Sequence, residues 1–466
     1  MAKHRLSKST YIRSLQCQKS LYLHSHRPFL RDKISAEQLA KFKRGTDVGV
    51  LARELFPGGI DMTPGSPSAL AKKREETLRL LADPEVSVLY EAVFEYDEVL
   101  IMLDILVRHE DAWKAIEVKS SLRLSETYIR DAALQYYVLK GNGLQVSSFQ
   151  LMHINPQYVF KDRLKLDELF LGVEVLDQLE LLQPETASAI AQAKQTLDRT
   201  RSPEIPVGRH CFYPYPCDFT GHCWKNIPPN HVFRLRSLNS ETAFRFLGEG
   251  RYLPEDIANE PEYLMIDPAE LRAFSQNSLT ASDKAKESLK AYRKYHNLIY
   301  LKLLTLQPAV PFINGFVPYQ HVPMAISWHN NPSTCQVFDM DSAGSAQAAS
   351  IISELIMKHD FVITDDAEAL MAFCQASGLQ AKEISRIVGI RQLVDELPLY
   401  HPGFSRDIPF ENMAKTLTGK TLTSNHWLKH DLLLADNPAK MQTVLDKLGQ
   451  YPKVIRLLWE KIMGLL

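Results

Sequence analysis

Two acidic residues and a lysine interrupt apolar runs that would otherwise continue. Leu100-Ile101-Met102-Leu103-Asp104-Ile105-Leu106-Val107 is followed, after the short polar link His109-Glu110-Asp111, by Trp113-Lys114-Ala115-Ile116-Glu117-Val118-Lys119. Both runs have the length of strands, and the short link between them predicts a hairpin. A hairpin brings Asp104 near Glu117 and Lys119. The last two stand two residues apart, so their side chains emerge on one face of a strand. Carboxylates converging from neighbouring strands suit a hard divalent cation, Mg²⁺ or Mn²⁺, which takes oxygen ligands and keeps several waters. A lysine beside them can hold or deprotonate an attacking water and neutralise charge on a phosphate, which is the apparatus of metal-assisted phosphodiester hydrolysis. The plain alternative is a surface strand with a Glu–Lys cross-strand pair, because short charge patterns recur by chance.

A second group is sulfur-rich. Cys211, Cys217 and Cys223 recur at equal intervals in His210-Cys211-Phe212-Tyr213-Pro214-Tyr215-Pro216-Cys217-Asp218-Phe219-Thr220-Gly221-His222-Cys223-Trp224, a stretch with prolines and no regular period. Cys17 offers a fourth thiol from an N-terminal helix, and one remote cysteine plus a downstream trio closes a four-thiolate site. Such a site takes either a [4Fe–4S] cluster or a structural zinc. The alternative is four unconnected thiols. His210 and His222 are spare ligands, and Cys335 and Cys374 read as core thiols.

The elements that must position these groups follow from pattern. Ser7 or Ser9 can cap a helix running through Leu15 to Leu23, and a second helix fits Glu37 to Phe56, stopped by Pro57-Gly58-Gly59. Ala69 to Leu81 reads as a further helix. Val86 to Phe94, Val99 to Arg108 and Trp113 to Lys119 read as adjacent strands. Asp131 to Gly141 reads as a helix, Val146 to Asn155 as a strand, and Leu164 to Thr200 as strongly helical. Residues 234–296 are helical and charged, and Lys284, Lys286, Lys290, Arg293 and Lys294 give them a basic face, either a phosphate contact or a solvated surface. Residues 297–425 carry strand-like stretches at Leu298 to Leu306, Met324 to Trp328 and Phe361 to Thr364, and residues 426–466 read as short helices.

The 466 residues suit two to four domains, and Lys plus Arg at 54 against Asp plus Glu at 55 exclude a globally basic nucleic-acid coat while leaving local patches open. No run of about 18 apolar residues is present, so neither a transmembrane helix nor a membrane partner is expected. The basic start Met1 to Thr10 lacks the apolar core of a secretion signal. Six cysteines are too few for a disulfide scaffold, which makes a cytoplasmic location the expectation.

Taken together, the Asp104–Glu117–Lys119 hairpin resembles the core of PD-(D/E)XK nucleases of the RecB-like branch. The resemblance implies that Asp104 and Glu117 bind metal and that Lys119 is catalytic. It also implies a following helix with a glutamine facing the site, which Asp131-Ala132-Ala133-Leu134-Gln135-Tyr136-Tyr137 resembles, with Gln135 in that place and Leu139 where the family has a tyrosine. An upstream metal-binding histidine of the family is replaced by Gly49 in Arg44-Gly45-Thr46-Asp47-Val48-Gly49. Glu91 or a water would then supply the missing ligand, unless Glu91 is an edge-strand charge. The cysteine spacing and the opening Leu6-Ser7-Lys8-Ser9 are similar to the iron–sulfur members, the CRISPR-associated exonucleases and AddB-type repair subunits, over about residues 5–230. For those, Cys17, Cys211, Cys217 and Cys223 would hold a [4Fe–4S] cluster that supports the fold and DNA contact, with zinc the other option.

Residues 234–425 resemble a companion domain of DEDD-type, RNase-H-like exonucleases. Lys302 and Leu304 stand where that family's first strand carries its metal-binding acids, and a cation and an isobutyl group cannot hold two metals. Asp395 is either a leftover acid or a helix-end charge, and Asp365 and Asp366 read as turn residues. The expected organisation is an α/β PD-(D/E)XK domain over 1–233, a mixed sheet flanked by helices; a helical connector over 234–296; a degenerate RNase-H-like α/β domain over 297–425; and C-terminal helices over 426–466. The expected activity is Mg²⁺- or Mn²⁺-dependent cleavage of DNA, single-stranded or with free ends, in repair or phage defence. The alternative is an inactive nucleic-acid-binding or assembly protein that keeps the fold.

Overall fold

The computed structural model describes residues 5–329, 333–404, 406 and 408–466. They form α/β structure in two compact units, 1–225 with 309–318, and 226–308 with 319–466.

The first unit runs β1 (Leu6–Ser7), α1 (Lys8–Gln16), α2 (Gln18–His26), α3 (Ala36–Ala52), β2 (Ile60–Asp61), α4 (Leu70–Leu81), β3 (Val88–Tyr96), β4 (Val99–His109), β5 (Ala112–Lys119), α5 (Glu126–Gly141), β6 (Val146–Ile154), α6 (Leu166–Leu169), β7 (Phe170–Glu174), α7 (Leu176–Leu181), α8 (Gln183–Leu197) and α9 (Thr220–Cys223). Its mixed sheet has the order β2-β3-β4-β5-β6-β7, with β1 added to β4. The central strands alternate or run continuously apolar because both faces are covered, and α5 packs against β3, β4 and β6. One core joins Leu103 and Leu106 of β4, Ala133 and Leu134 of α5, Tyr11 of α1 and Ile190 of α8.

The edge of β4 is shared. Its start pairs in parallel with β1 at Val99 and Leu100, and its end pairs antiparallel with β5 from Ile105 to His109. Between these pairings the strands fork. Asp104 lies at the fork, and α1 begins beside it, capped by the Ser7 side chain on the Thr10 amide. The single helix expected through Leu15 to Leu23 is broken at Cys17, whose extended backbone ends α1 and starts α2. The stretch Leu164 to Thr200 is helical only in part: Phe170–Glu174 forms an edge strand on β6.

The second unit runs α10 (Ser240–Gly248), α11 (Pro268–Gln276), β8 (Thr280–Ala281), α12 (Asp283–Lys290), β9 (Leu298–Leu306), β10 (Val322–His329), β11 (Ser333–Val337), α13 (Ser342–Lys358), β12 (Phe361–Thr364), α14 (Ala367–Ala376), α15 (Ala381–Ile384), β13 (Ile387–Gly389), α16 (Ile390–Glu396), β14 (Leu399–Tyr400), α17 (Phe410–Thr418), α18 (Asn425–Leu433), α19 (Pro438–Leu448) and α20 (Gln450–Met463). Its main sheet has the order β11-β10-β9-β12-β13, antiparallel on the β10–β11 side and parallel on the β12–β13 side. The segments 234–296 and 426–466, expected to stand apart as connector and tail, instead share one core with the sheet: Ala285 and Leu289 pack with Leu304, Ile363, Leu458 and Ile462. The amphipathic α20 covers β9, β10 and β12, so its apolar stripe is the other half of that core.

Lys302 and Asp365 also depart from expectation. Lys302 points into the interior from β9 and its ammonium hydrogen-bonds the Asp365 carboxylate at the end of β12, both side chains being 3% exposed. Asp365 is therefore a buried ion-pair partner and not a turn residue, while Asp366 caps α14 through the Glu368 and Ala369 amides. Asp395 is exposed at the end of α16.

Candidate active site

The β3–β4–β5 register aligns three carboxylates across the sheet. Tyr90 pairs with Ile105 and Ala92 with Leu103, which sets Glu91 opposite Asp104. Ile105 pairs with Ile116, and one step further Asp104 faces Glu117. The Val118 amide donates to Asp104 Oδ2 at 2.7 Å, which pins that carboxylate at the fork. Asp104, Glu117, Lys119 and Glu91 line one pocket with Gly45, Thr46, Gly49 and Arg53, and Tyr128 closes another side. Glu91 carries a φ of 51°, a left-handed backbone uncommon outside glycine and enriched at functional sites.

Ion pairs link these groups. Lys119 Nζ donates to Glu117 Oε1 at 2.8 Å and to Asp131 Oδ2 at 2.7 Å. Lys8 Nζ donates to Glu117 Oε1 at 3.0 Å and Oε2 at 3.2 Å. Arg53 donates to Glu91 at 2.8 Å, so the glutamate expected as a spare ligand is held by a guanidinium. Gln135 is fully buried beneath, close enough to Glu117 to favour its charge, yet neither amide atom has a hydrogen-bond partner among the described residues. Asp131 Oδ1 is likewise unpartnered. Unsatisfied buried polar atoms are rare and mark places where a water or ligand fits.

The electrostatics differ between the two central acids. Burial and then the adjacent Glu117 charge raise the Asp104 pKa well above the ordinary carboxylate value. Burial pushes Glu117 upward too, but Lys119 and Lys8 outweigh it and hold its pKa below the usual range. Burial works against the charge of Lys119, but Glu117 and Asp131 outweigh it, so the ammonium is held on more tightly than usual.

The structure thus brings Asp104, Glu117, Lys119, Gln135 and Glu91 together. Lys8, Arg53 and Asp131 join them and were not legible as site residues. Asp131 could have been found from its i, i+4 spacing to Gln135, which sets both on one helix face. Lys8 and Arg53 carry no local signal.

The four cysteines converge separately. Cys17, Cys211, Cys217 and Cys223 line one small pocket with His210. The Cys217 amide bonds the Cys211 carbonyl at 2.9 Å, which folds the loop back on itself. Gln16 Nε2 donates to the His210 and Tyr215 carbonyls, both at 2.7 Å, and Arg13 Nη2 donates to Asp218 Oδ2 at 3.0 Å, tying α1 to the loop. Burial raises the thiol pKa of Cys17 and Cys211, and pushes Cys223 up to about 11. Among the described residues no three His, Cys, Asp or Glu side chains stand close enough to grip a single metal ion as they are. No helix among them is long and apolar enough to cross a membrane. A comparison of the chain with protein-family models gives no match, and a comparison with curated proteins gives none either.

Proposed function

We propose that the chain is a metal-dependent DNA nuclease of the RecB-like PD-(D/E)XK kind, acting on single strands or free ends and braced by an iron–sulfur cluster. The observation that carries this is the forked hairpin, where Asp104, Glu117 and Lys119 share one pocket above the buried Gln135. The donor set fits Mg²⁺ or Mn²⁺: all oxygen, half-buried, with room for waters. Asp104 and Glu117 would hold the ion, which when bound supplies Lewis-acid polarisation of a phosphate oxygen and an acidified water. Lys119, hydrogen-bonded to Glu117 and Asp131, is placed to hold the attacking water and to stabilise negative charge growing on the phosphate. Gln135 would orient the water through its amide.

For the cysteines the donors fit either a [4Fe–4S] cluster or zinc, and the family resemblance favours the cluster. The second unit is read as an RNase-H-like domain without chemistry. Its sheet order, with the first strand central and flanked by an antiparallel and a parallel side, supports that fold, and Lys302 occupies the Asp365 carboxylate beside that strand.

One observation favours the inactive reading: Arg53 takes up Glu91 and Gly49 offers no ligand, so two of the site's possible contributors give nothing. Incubation of labelled single-stranded and double-stranded DNA with Mn²⁺ separates the two. Shortening by the wild type and none by Lys119→Ala supports the nuclease; binding without shortening in any metal supports the alternative.

A further inference from the structure

We propose that Lys8 is a substrate-phosphate ligand of this site, parked on Glu117 until a divalent cation takes that carboxylate. The inference rests on the nuclease reading above and extends it to how the substrate is gripped.

Two ammonium groups share Glu117, and they are not equivalent. Lys119 also bonds Asp131, so it keeps a partner when Glu117 is given up. Lys8 grips both Glu117 oxygens and, among the described residues, hydrogen-bonds no second carboxylate. With Glu117 holding a divalent cation, Lys8 would be the ammonium to give way, while Lys119 would keep its bond to Asp131. Lys8 sits at the first turn of α1, where β1 leaves β4, and its side chain is 26% exposed while that of Glu117 is 4% exposed. It can move toward solvent without opening the core.

Charge balance gives the direction. Asp104, Glu117 and Asp131 oppose Lys8 and Lys119, a net of −1 for these five with all ionised, while Arg53 is shared by Glu91 and the half-exposed Asp61. A divalent cation turns −1 into +1, which one phosphodiester anion neutralises. The displaced ammonium would lose both of its Glu117 hydrogen bonds, and a phosphate oxygen is an acceptor that can replace them. The far end of α1 is fastened to the cysteine loop by Arg13 and Gln16, so the helix that carries Lys8 is held at a fixed distance from the fork.

The test uses the full-length protein, with Mn²⁺ binding followed by electron paramagnetic resonance in the absence of DNA. A short single-stranded oligonucleotide is then titrated in Ca²⁺. Lys8→Met is expected to bind Mn²⁺ roughly tenfold more tightly, because a competing cation at contact distance is gone. It is expected to bind the oligonucleotide several-fold more weakly, while Lys8→Arg keeps oligonucleotide affinity. A merely structural lysine would weaken both, and that result, or unchanged Mn²⁺ affinity, overturns the proposal. A second measurement needs no variant: amine acetylation of wild-type Lys8 should rise on adding Mg²⁺ and fall again with oligonucleotide, and labelling indifferent to Mg²⁺ overturns it. If neither the wild type nor Lys8→Met binds Mn²⁺, the nuclease reading fails as well; equal binding by both overturns the role of Lys8 alone.

Discussion

Replacing Lys302 by Met should destabilise the second unit by an amount that depends on pH. The substitution keeps the length of the side chain but removes the ammonium that Asp365 needs and that sits 4.8 Å from the centre of the Tyr451 ring. Breaking a buried pair by deleting one partner costs about 3–5 kcal/mol. Protonation sets a ceiling on that cost. Burial already raises the Asp365 pKa despite Lys302, and deleting the lysine removes the charge that opposes that rise. Holding a group of ordinary pKa 3.8 neutral at pH 7 costs about 4 kcal/mol, and at pH 5 under ~2 kcal/mol. The sign follows: the folded pKa of Asp365 lies above its unfolded value, so stability falls as pH rises from the unfolded pKa toward the folded one. Urea unfolding at pH 5 and pH 7, followed by tryptophan fluorescence, should therefore show a larger loss at pH 7. In melting, the pH 7 loss amounts to about 10 °C for a unit of this size. Lys302→Met with Asp365→Asn should recover most of it, since an apolar–amide pair leaves no charge buried. A loss independent of pH, or one under about 1 kcal/mol, would refute the claim that Asp365 is a buried charge neutralised by Lys302.

Other expectations concern the first unit. Gly49 lines the acidic pocket and a side chain there would meet open space, so Gly49→His should tighten Mn²⁺ binding by about tenfold, or ~1.4 kcal/mol, measured by the same resonance titration; unchanged affinity would mean that the helix does not face the ion. Because Asp104 must lose a proton to bind metal and its pKa is raised, Mn²⁺ affinity should climb with pH through and above the usual carboxylate range, and Asp104→Asn should bind weakly with a flat profile. Cys211→Ser should lower iron and sulfide content in anaerobically purified protein and lower its melting temperature, whereas a colourless wild type with stoichiometric zinc would replace the cluster by zinc.

Much of this site was legible because charged residues broke an apolar alternation. Asp104, Glu117 and Lys119 stand out in strands that are otherwise buried, and hairpin geometry alone sets two of them face to face. The cysteine trio was legible from local spacing, whereas Gln135 was singled out only by the family resemblance. What stayed hidden depends on distance along the chain. Lys8 meets Glu117 across 109 positions and Lys302 meets Asp365 across 63, and no local period encodes such pairs. Asp365-Asp366 after a strand has the composition of a turn, so a buried charge there had no signature. The two-residue β1 has too few residues to show a period, and Phe170–Glu174 was absorbed into a Leu-rich stretch of helical composition. The connector and tail were misjudged for a related reason: an amphipathic helix declares that it has an apolar face but not which sheet it covers.

The most direct measurement is the position of Mn²⁺ in crystals of the wild-type protein, located by anomalous scattering. The account predicts one peak between the carboxylates of Asp104 and Glu117, with the Lys8 ammonium moved off Glu117. A peak bound elsewhere, or none at saturating Mn²⁺ with Lys8 still on Glu117, would contradict it.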